Sequence, residues 1–184
     1  MRVIAGEAHG RRLVAPRGLS TRPATARVRA SIFSRLGSRL DISASRVLDI
    51  FAGSGSLGCE ALSRGARAAT FIDSSRDAVA AIARNSRDLR LGDRVRILQN
   101  DFRRALAELA ASDESFEIVF VDASYKNDVS SDVLALVDRL NLIALGGYVV
   151  VRQFHRAPAP LAAGLEFDSE ATLGDHRIAF YRRA

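Results

Sequence analysis

A chain of 184 residues with 48% apolar and 26% charged side chains has a globular composition, which excludes a disordered tail and predicts one domain with a substantial core. A single cysteine, Cys59, excludes an internal disulfide framework, and the polar opening MRVIAGEAHGRR excludes a signal peptide. With no apolar run of membrane-spanning length, the expectation is a soluble, cytoplasmic protein.

The net charge of +6 is uneven: residues 1–40 carry nine arginines against one acid, Glu7, a surplus of eight that leaves −2 for residues 41–184. In this segment, residues 2–15 read as two short strands, RVIA and RRLVA, around the turn-like GEAHG. Val28, Ile32, Phe33 and Leu36 then recur at helical spacing through TARVRASIFSRLG, with Gly37 as the stop. Arg27, Arg29 and Arg35 fall off that apolar face and are expected to turn outward. A basic segment on a near-neutral body suggests a docking face for a polyanion. Lys126 is the only lysine, so the charge is carried by planar guanidinium forks, which grip phosphates bidentately and stack on bases. The expected partner is nucleic acid. Arginine-rich codon usage is the alternative, but it does not explain the clustering.

From residue 46 the pattern alternates. RVLDIFA is a strand, and the helix after the following glycines runs to about Arg64. AATFID is the second strand, followed by the helix SRDAVAAIARNSRDL. VRILQN is the third, with a helix through Leu106 and Leu109. FEIVFVD is the fourth, with the helix SDVLALVDRL, and GYVVVRQ is the fifth. Short apolar strands alternating with helices predict an α/β, Rossmann-like fold with a mostly parallel central sheet. The tail, LEFDSEATLG and HRIAFYRR, lacks a crossover helix and is expected to pair antiparallel at an edge.

In such a sheet, ligands collect at the carboxyl ends of the strands near the switch in strand order. The first strand ends at Asp49 and a glycine loop, the second at Asp73, the third at Asp101 and the fourth at Asp122. Acids favour helix N-termini for local reasons, which accounts for one or two of these but not for the series. Gly53, Gly55 and Gly58 spell G-x-G-x-x-G, a pattern shared with dinucleotide sites, yet a carboxylate at Asp49 repels pyrophosphate and favours an ammonium. S-adenosylmethionine has an adenosine, an ammonium and a sulfonium, and no phosphate, so it suits the set better than NAD. Asp73 then suits the ribose hydroxyls and Asp101 the adenine amino group, while Phe102 either flanks the adenine or belongs to the core. His9, His155 and His176 have no ligand spacing, so no metal is expected.

Taken together, MRVIAGEAHGRRL, TRPATARVRASIF, VLDIFAGSGSLGCEALSRGA, FIDSSR, FVDASY and GDHRIAFYRR resemble the bacterial RsmD family over nearly the whole chain. That resemblance implies an S-adenosylmethionine-dependent methyltransferase acting on the exocyclic N2 of a guanine in small-subunit (16S) ribosomal RNA, naked or in the assembled subunit. It further implies one methyltransferase domain over 1–184, with 1–40 as a basic hairpin and helix for RNA docking and 41–184 as the cofactor-binding and catalytic core. Asp49, Phe51, Gly53, Gly55, Asp73, Ser74, Asp101 and Phe102 are then the cofactor residues. Asp122, the Ala123 carbonyl and Tyr125 are the catalytic ones, and Arg2, Arg11, Arg12, Arg22, Arg27 and Arg29 hold RNA. A monomer with no membrane and no metal is the default. The family pattern reads Asp-Pro-Pro-Tyr or Phe where this chain reads Asp122-Ala123-Ser124-Tyr125, and it carries a hydroxyl residue and a Glu where Ala24 and Ala30 stand. Two other readings stay open: a relative with weakened or redirected chemistry acting as an RNA-binding or assembly factor, and a dinucleotide oxidoreductase.

Overall fold

The computed structural model describes residues 1–16, 24–123, 129–157, 159–160 and 164–184. In chain order the elements are α1 (Ala26–Gly37), β1 (Arg46–Ile50), α2 (Ser56–Ser63), β2 (Ala68–Asp73), α3 (Arg76–Leu89), β3 (Val95–Gln99), α4 (Phe102–Ala111), β4 (Phe116–Val121), α5 (Ser130–Arg139), β5 (Ile143–Phe154), β6 (Glu166–Leu173) and β7 (His176–Arg182). Short polar side chains start the helices: Thr25 accepts from the Val28 N–H, Ser75 from Ala78 and Asp101 from Arg103.

The strands make one sheet in the order β3-β2-β1-β4-β5-β7-β6. β1 pairs in parallel with both β2 and β4, so the chain winds outward to β3, then returns across the centre, and the switch point lies between β1 and β4. The tail departs slightly from a simple edge hairpin. β7 inserts between β5 and β6, antiparallel to both, leaving β6 as the edge. The residue pattern explains this: Ile178–Tyr181 is buried throughout, whereas β6 alternates exposed and half-buried positions.

Because successive strand residues face opposite sides, β1 feeds two cores. Val47, with Phe71, Ile118, Phe120 and Phe180, packs under α1, α2 and α3 through Phe33, Leu62 and Ile82. Leu48 and Ile50, with Val119 and Val121, pack under α4 and α5 through Leu106, Leu109, Val133 and Val137. Among the described residues no helix is long and apolar enough to cross a membrane.

The amino-terminal hairpin is shorter than its residue pattern predicts. Only Arg2 and Arg12 form an antiparallel bridge. Val3 N–H donates to the Arg11 carbonyl at 3.0 Å and Leu13 N–H to that of Met1 at 2.9 Å, and beyond them the N–H groups turn to the body. Ile4 and Ala5 donate to the two carboxylate oxygens of fully buried Glu60 at 2.8 and 3.1 Å, and Val14 donates to Asn85 Oδ1 at 2.8 Å. The arm lies so close to α2 that a Cβ on Gly6 (φ +83°) would stand 1.7 Å from the Ser63 carbonyl oxygen.

Candidate cofactor and transfer site

β1 delivers the chain into a loop of left-handed residues: Phe51 (φ 60°), Gly53 (φ 57°) and Gly55 (φ 70°), the last capping α2. A left-handed aromatic residue costs about 1–3 kcal/mol and persists only where its surroundings over-determine it. Here the Phe51 ring packs edge-on to Phe102 at 5.3 Å. Gly58 has a different task. A Cβ there would come within 2.3 Å of the Phe71 ring, so this glycine lets α2 lie on β2. The triplet therefore shapes a loop and a helix contact, neither of which is peculiar to pyrophosphate.

The carboxylates occupy distinct positions around that loop. Asp49 is only 1% exposed, and its Oδ2 accepts from the Gly58 N–H at 2.9 Å. It thus sits beneath the loop rather than open to the surface. Burial pushes its pKa well above the usual carboxylate range, and the charges of Asp122 and Asp73 push the same way, against the Gly58 hydrogen bond. Asp73 is half-buried and braces the loop: Oδ2 accepts from Gly53 N–H at 2.8 Å and Oδ1 from Ser75 N–H at 2.9 Å, with Ser74 exposed beside it. Each oxygen keeps lone pairs for a diol. Asp101 is exposed at the start of α4, where Oδ1 accepts from the Arg103 N–H at 2.9 Å. Phe102 is 6% exposed and joins the core while its edge meets Phe51, so the two sequence readings of it merge.

Asp122 follows β4, with its side chain 16% exposed, and both of its oxygens are held by Arg152: Nε donates to Oδ1 at 2.7 Å and Nη2 to Oδ2 at 2.9 Å. A ring nitrogen of His176 lies 3.4 Å from Arg152 Nη1. Burial raises the Asp122 pKa, while Arg152 and then His176 pull it down. Ala123 is half-buried next to it, and Tyr125 lies outside the described residues. Thus Asp49, Asp73 and Asp122 gather at the switch point, with Asp101 beyond β2. Among the described residues no group of three or more His, Cys, Asp or Glu could hold a metal ion. Crowded carboxylates suit a cation, and Asp73 and exposed Asp101 suit the hydroxyls and amine of a nucleoside.

Sequence reasoning missed Glu60, Asn85, Arg152 and His176. The available signal for Arg152 was a single cation directly after the apolar run VVV. Asn85 bridges arm and loop, since its Nδ2 donates to the carbonyls of Val14 (2.9 Å) and Ser54 (2.8 Å).

Of the arginines expected to face RNA, Arg2, Arg11, Arg12 and Arg27 are exposed, and Arg22 lies outside the described residues. Arg29 does not face outward. It is 1% exposed, Nη1 donates to the Ala24 carbonyl at 2.6 Å and Nη2 to the Arg2 carbonyl at 2.5 Å. Its position next to Val28 turns it onto the arm, whose backbone carbonyls capture the guanidinium. Arg35 is also drawn in, its guanidinium 5.9 Å from the centre of the Phe180 ring.

Residues 1–182 match the family described as Conserved hypothetical protein 95. The chain is 36% identical over 184 residues to the YlbH protein of Bacillus subtilis strain 168, covering 100% of this chain and 99% of that one. It is 35% identical over 138 residues to ribosomal RNA small subunit methyltransferase D of Escherichia coli K12, covering 75% of this chain and 67% of that one. Among solved structures, a hypothetical protein of Thermus thermophilus superposes with a TM-score of 0.86 at 27% identity, covering 99% of each chain. The Escherichia coli protein yhhF superposes at 0.84 and 29% identity, covering 100% of this chain and 97% of that one. The chain belongs to the Conserved hypothetical protein 95 family and is an RsmD-type methyltransferase.

Proposed function

We propose that the chain methylates the exocyclic N2 of a guanine in small-subunit ribosomal RNA, with S-adenosylmethionine as donor. The observation that carries this reading is the buried Asp49 carboxylate, crowded by Asp73 and Asp122 beside a loop of left-handed residues. Three carboxylates raise one another's energy when ionised, and a cationic ligand without phosphate relieves that repulsion. The RNA assignment draws on the exposed Arg2, Arg11, Arg12 and Arg27 and on the named activity of the E. coli relative.

The roles follow from chemistry. Asp73 accepts from ribose hydroxyls, Asp101 from the adenine amine, and the loop of Phe51, Gly53 and Gly55 lines the amino-acid end, with Asp49 beneath it. When bound, S-adenosylmethionine supplies a methyl whose C–S bond breaks, leaving its electron pair on sulfur, as the amine lone pair forms the new N–C bond. A guanine amine is a poor nucleophile because its lone pair is delocalised into the ring. Asp122 and the Ala123 carbonyl accept its two N–H groups and turn that lone pair toward the methyl carbon, and Tyr125 stacks on the extruded base. The surplus amine proton passes to the Asp122 carboxylate and on to water.

The test is methyl transfer from labelled S-adenosylmethionine to unmodified small ribosomal subunits, free small-subunit RNA and duplex DNA, followed by nucleoside identification. N2-methylguanine in either RNA sample is expected, and label confined to DNA or protein refutes the substrate. A second reading is a cofactor-retaining RNA-binding factor, favoured by the Arg152 fork across the Asp122 carboxylate and the loop without prolines. Cofactor binding with no transfer to any acceptor supports it.

A further inference from the structure

We infer that Arg152 is a positioning residue of the transfer step, clamping both oxygens of Asp122 so that its remaining lone pairs and the Ala123 carbonyl meet the guanine amine in one fixed arrangement. This rests on the methyltransferase reading above, and it explains how a loop reading Asp-Ala-Ser-Tyr does the work expected of Asp-Pro-Pro-Tyr.

The register makes the clamp. Val121 of β4 pairs with Val151 of β5, so Asp122, the first residue after β4, stands at the same height as Arg152 within β5. Two parallel N–H···O bonds of 2.7 and 2.9 Å fix the plane of the carboxylate as well as its position, which one bond to a lysine cannot do. The pair is nearly dry, with side chains 7% and 16% exposed. Arg152 is itself set by the sheet: it stands opposite Ile178 of β7, and the His176 ring lies against Nη1 at 3.4–3.5 Å. The acceptor is therefore held from the strands behind it, whereas two prolines would hold it through the loop. Two bonds from Arg152 leave about half of the carboxylate's roughly four acceptor sites open, enough for one amine N–H.

The clamp also opposes the burial that raises the Asp122 pKa. The charged groups that bear on it are Arg152 from β5, His176 from β7, and Asp49 from β1, whose own carboxyl is coupled to Asp73; Asp175 faces His176. Arg152 is the strongest favourable charge among them, so its removal makes Asp122 take up a proton at higher pH.

The experiment compares wild type, Arg152→Gln and Arg152→Lys. Single-turnover methyl transfer is followed against pH at saturating RNA and cofactor, with thermal melting and cofactor affinity as folding controls. The Asp122 carboxyl is titrated in parallel by carbon NMR. In Arg152→Gln the rate should fall about tenfold or more, with cofactor affinity within about twofold, because positioning and not binding is lost. The acid limb and the Asp122 titration should both move up by about one pH unit. Arg152→Lys should restore the limb through its charge but only part of the rate, and it carries the test if the glutamine variant does not fold. An unchanged rate and limb overturn the proposal, and a faster Arg152→Gln shows that the fork restrains Asp122 instead of positioning it. If wild type transfers no methyl, the function fails separately. An Asp122 titration unmoved by Arg152→Gln would then overturn the clamp on its own.

Discussion

Replacing Glu60 with alanine tests how the basic arm is tied to the methyltransferase body. Glu60 is fully buried and accepts from the N–H groups of Ile4 (2.8 Å) and Ala5 (3.1 Å) and from Arg64 Nε (2.9 Å). Glu60→Ala removes both acceptor oxygens and the three hydrogen bonds they take, and leaves two partly buried amides unsatisfied, each costing about 1–1.5 kcal/mol at the lower end of the range for an orphaned donor. Arg64 is 21% exposed and can turn to water, so its loss adds about 1 kcal/mol. A total of about 3–4 kcal/mol lowers the melting temperature by about 10 °C for a chain of this size. The arm also loses its tie at Ile4 and Ala5, keeping those of Ala8 to Ser63 Oγ at 3.0 Å and of Val14 to Asn85 on either side. Thermal unfolding gives the stability, and hydrogen exchange reads the Ile4 and Ala5 amides, which should lose protection while the β1 and β4 amides keep theirs. RNA affinity should fall well beyond the effect on cofactor binding. A destabilisation below about 1 kcal/mol with both amides still protected would refute the tie to Glu60.

The remaining predictions concern ligands and packing. Because burial and then the charges of Asp122 and Asp73 hold the Asp49 pKa above its ordinary value, the cofactor-free protein keeps a proton there to higher pH than an exposed carboxyl would. A bound cation favours the ionised form, so S-adenosylmethionine should bind with proton release, and its affinity should fall as pH drops through that pKa. Calorimetry in two buffers of different ionisation heat measures this; no proton release at any pH above the ordinary carboxylate range refutes it. Arg27→Ala should weaken RNA binding and reduce the salt slope by about one, with stability unchanged. Arg29→Ala should instead leave the Ala24 and Arg2 carbonyls unpaired and lower stability by about 2 kcal/mol, so equal salt slopes for the two variants would contradict the assignment. Gly58→Ala should cost about 1–3 kcal/mol, because its Cβ would meet the Phe71 ring at 2.3 Å; an unshifted melting curve would show that the ring swings aside.

Much of this was legible in the chain alone, because it is local. Apolar strands alternating with 3.6-period helices set the order of elements, and strand ends put Asp49, Asp73, Asp101 and Asp122 at one edge of a parallel sheet whatever the details of packing. Left-handed positions at Gly53 and Gly55 likewise follow from residue type. What needed the tertiary structure was every property set by a distant partner. Arg29 belongs to a helix whose period leaves it off the apolar face, yet the arm folds over it and buries it. Asp49 reads as an open acid until α2 covers it. The pairing of Asp122 with Arg152, 30 positions away, follows from the parallel register of β4 and β5, which no pattern within either strand reveals. Periodicity reports which face a residue takes on its own element. Only the packing of elements decides whether that face meets water, a carbonyl or a charge.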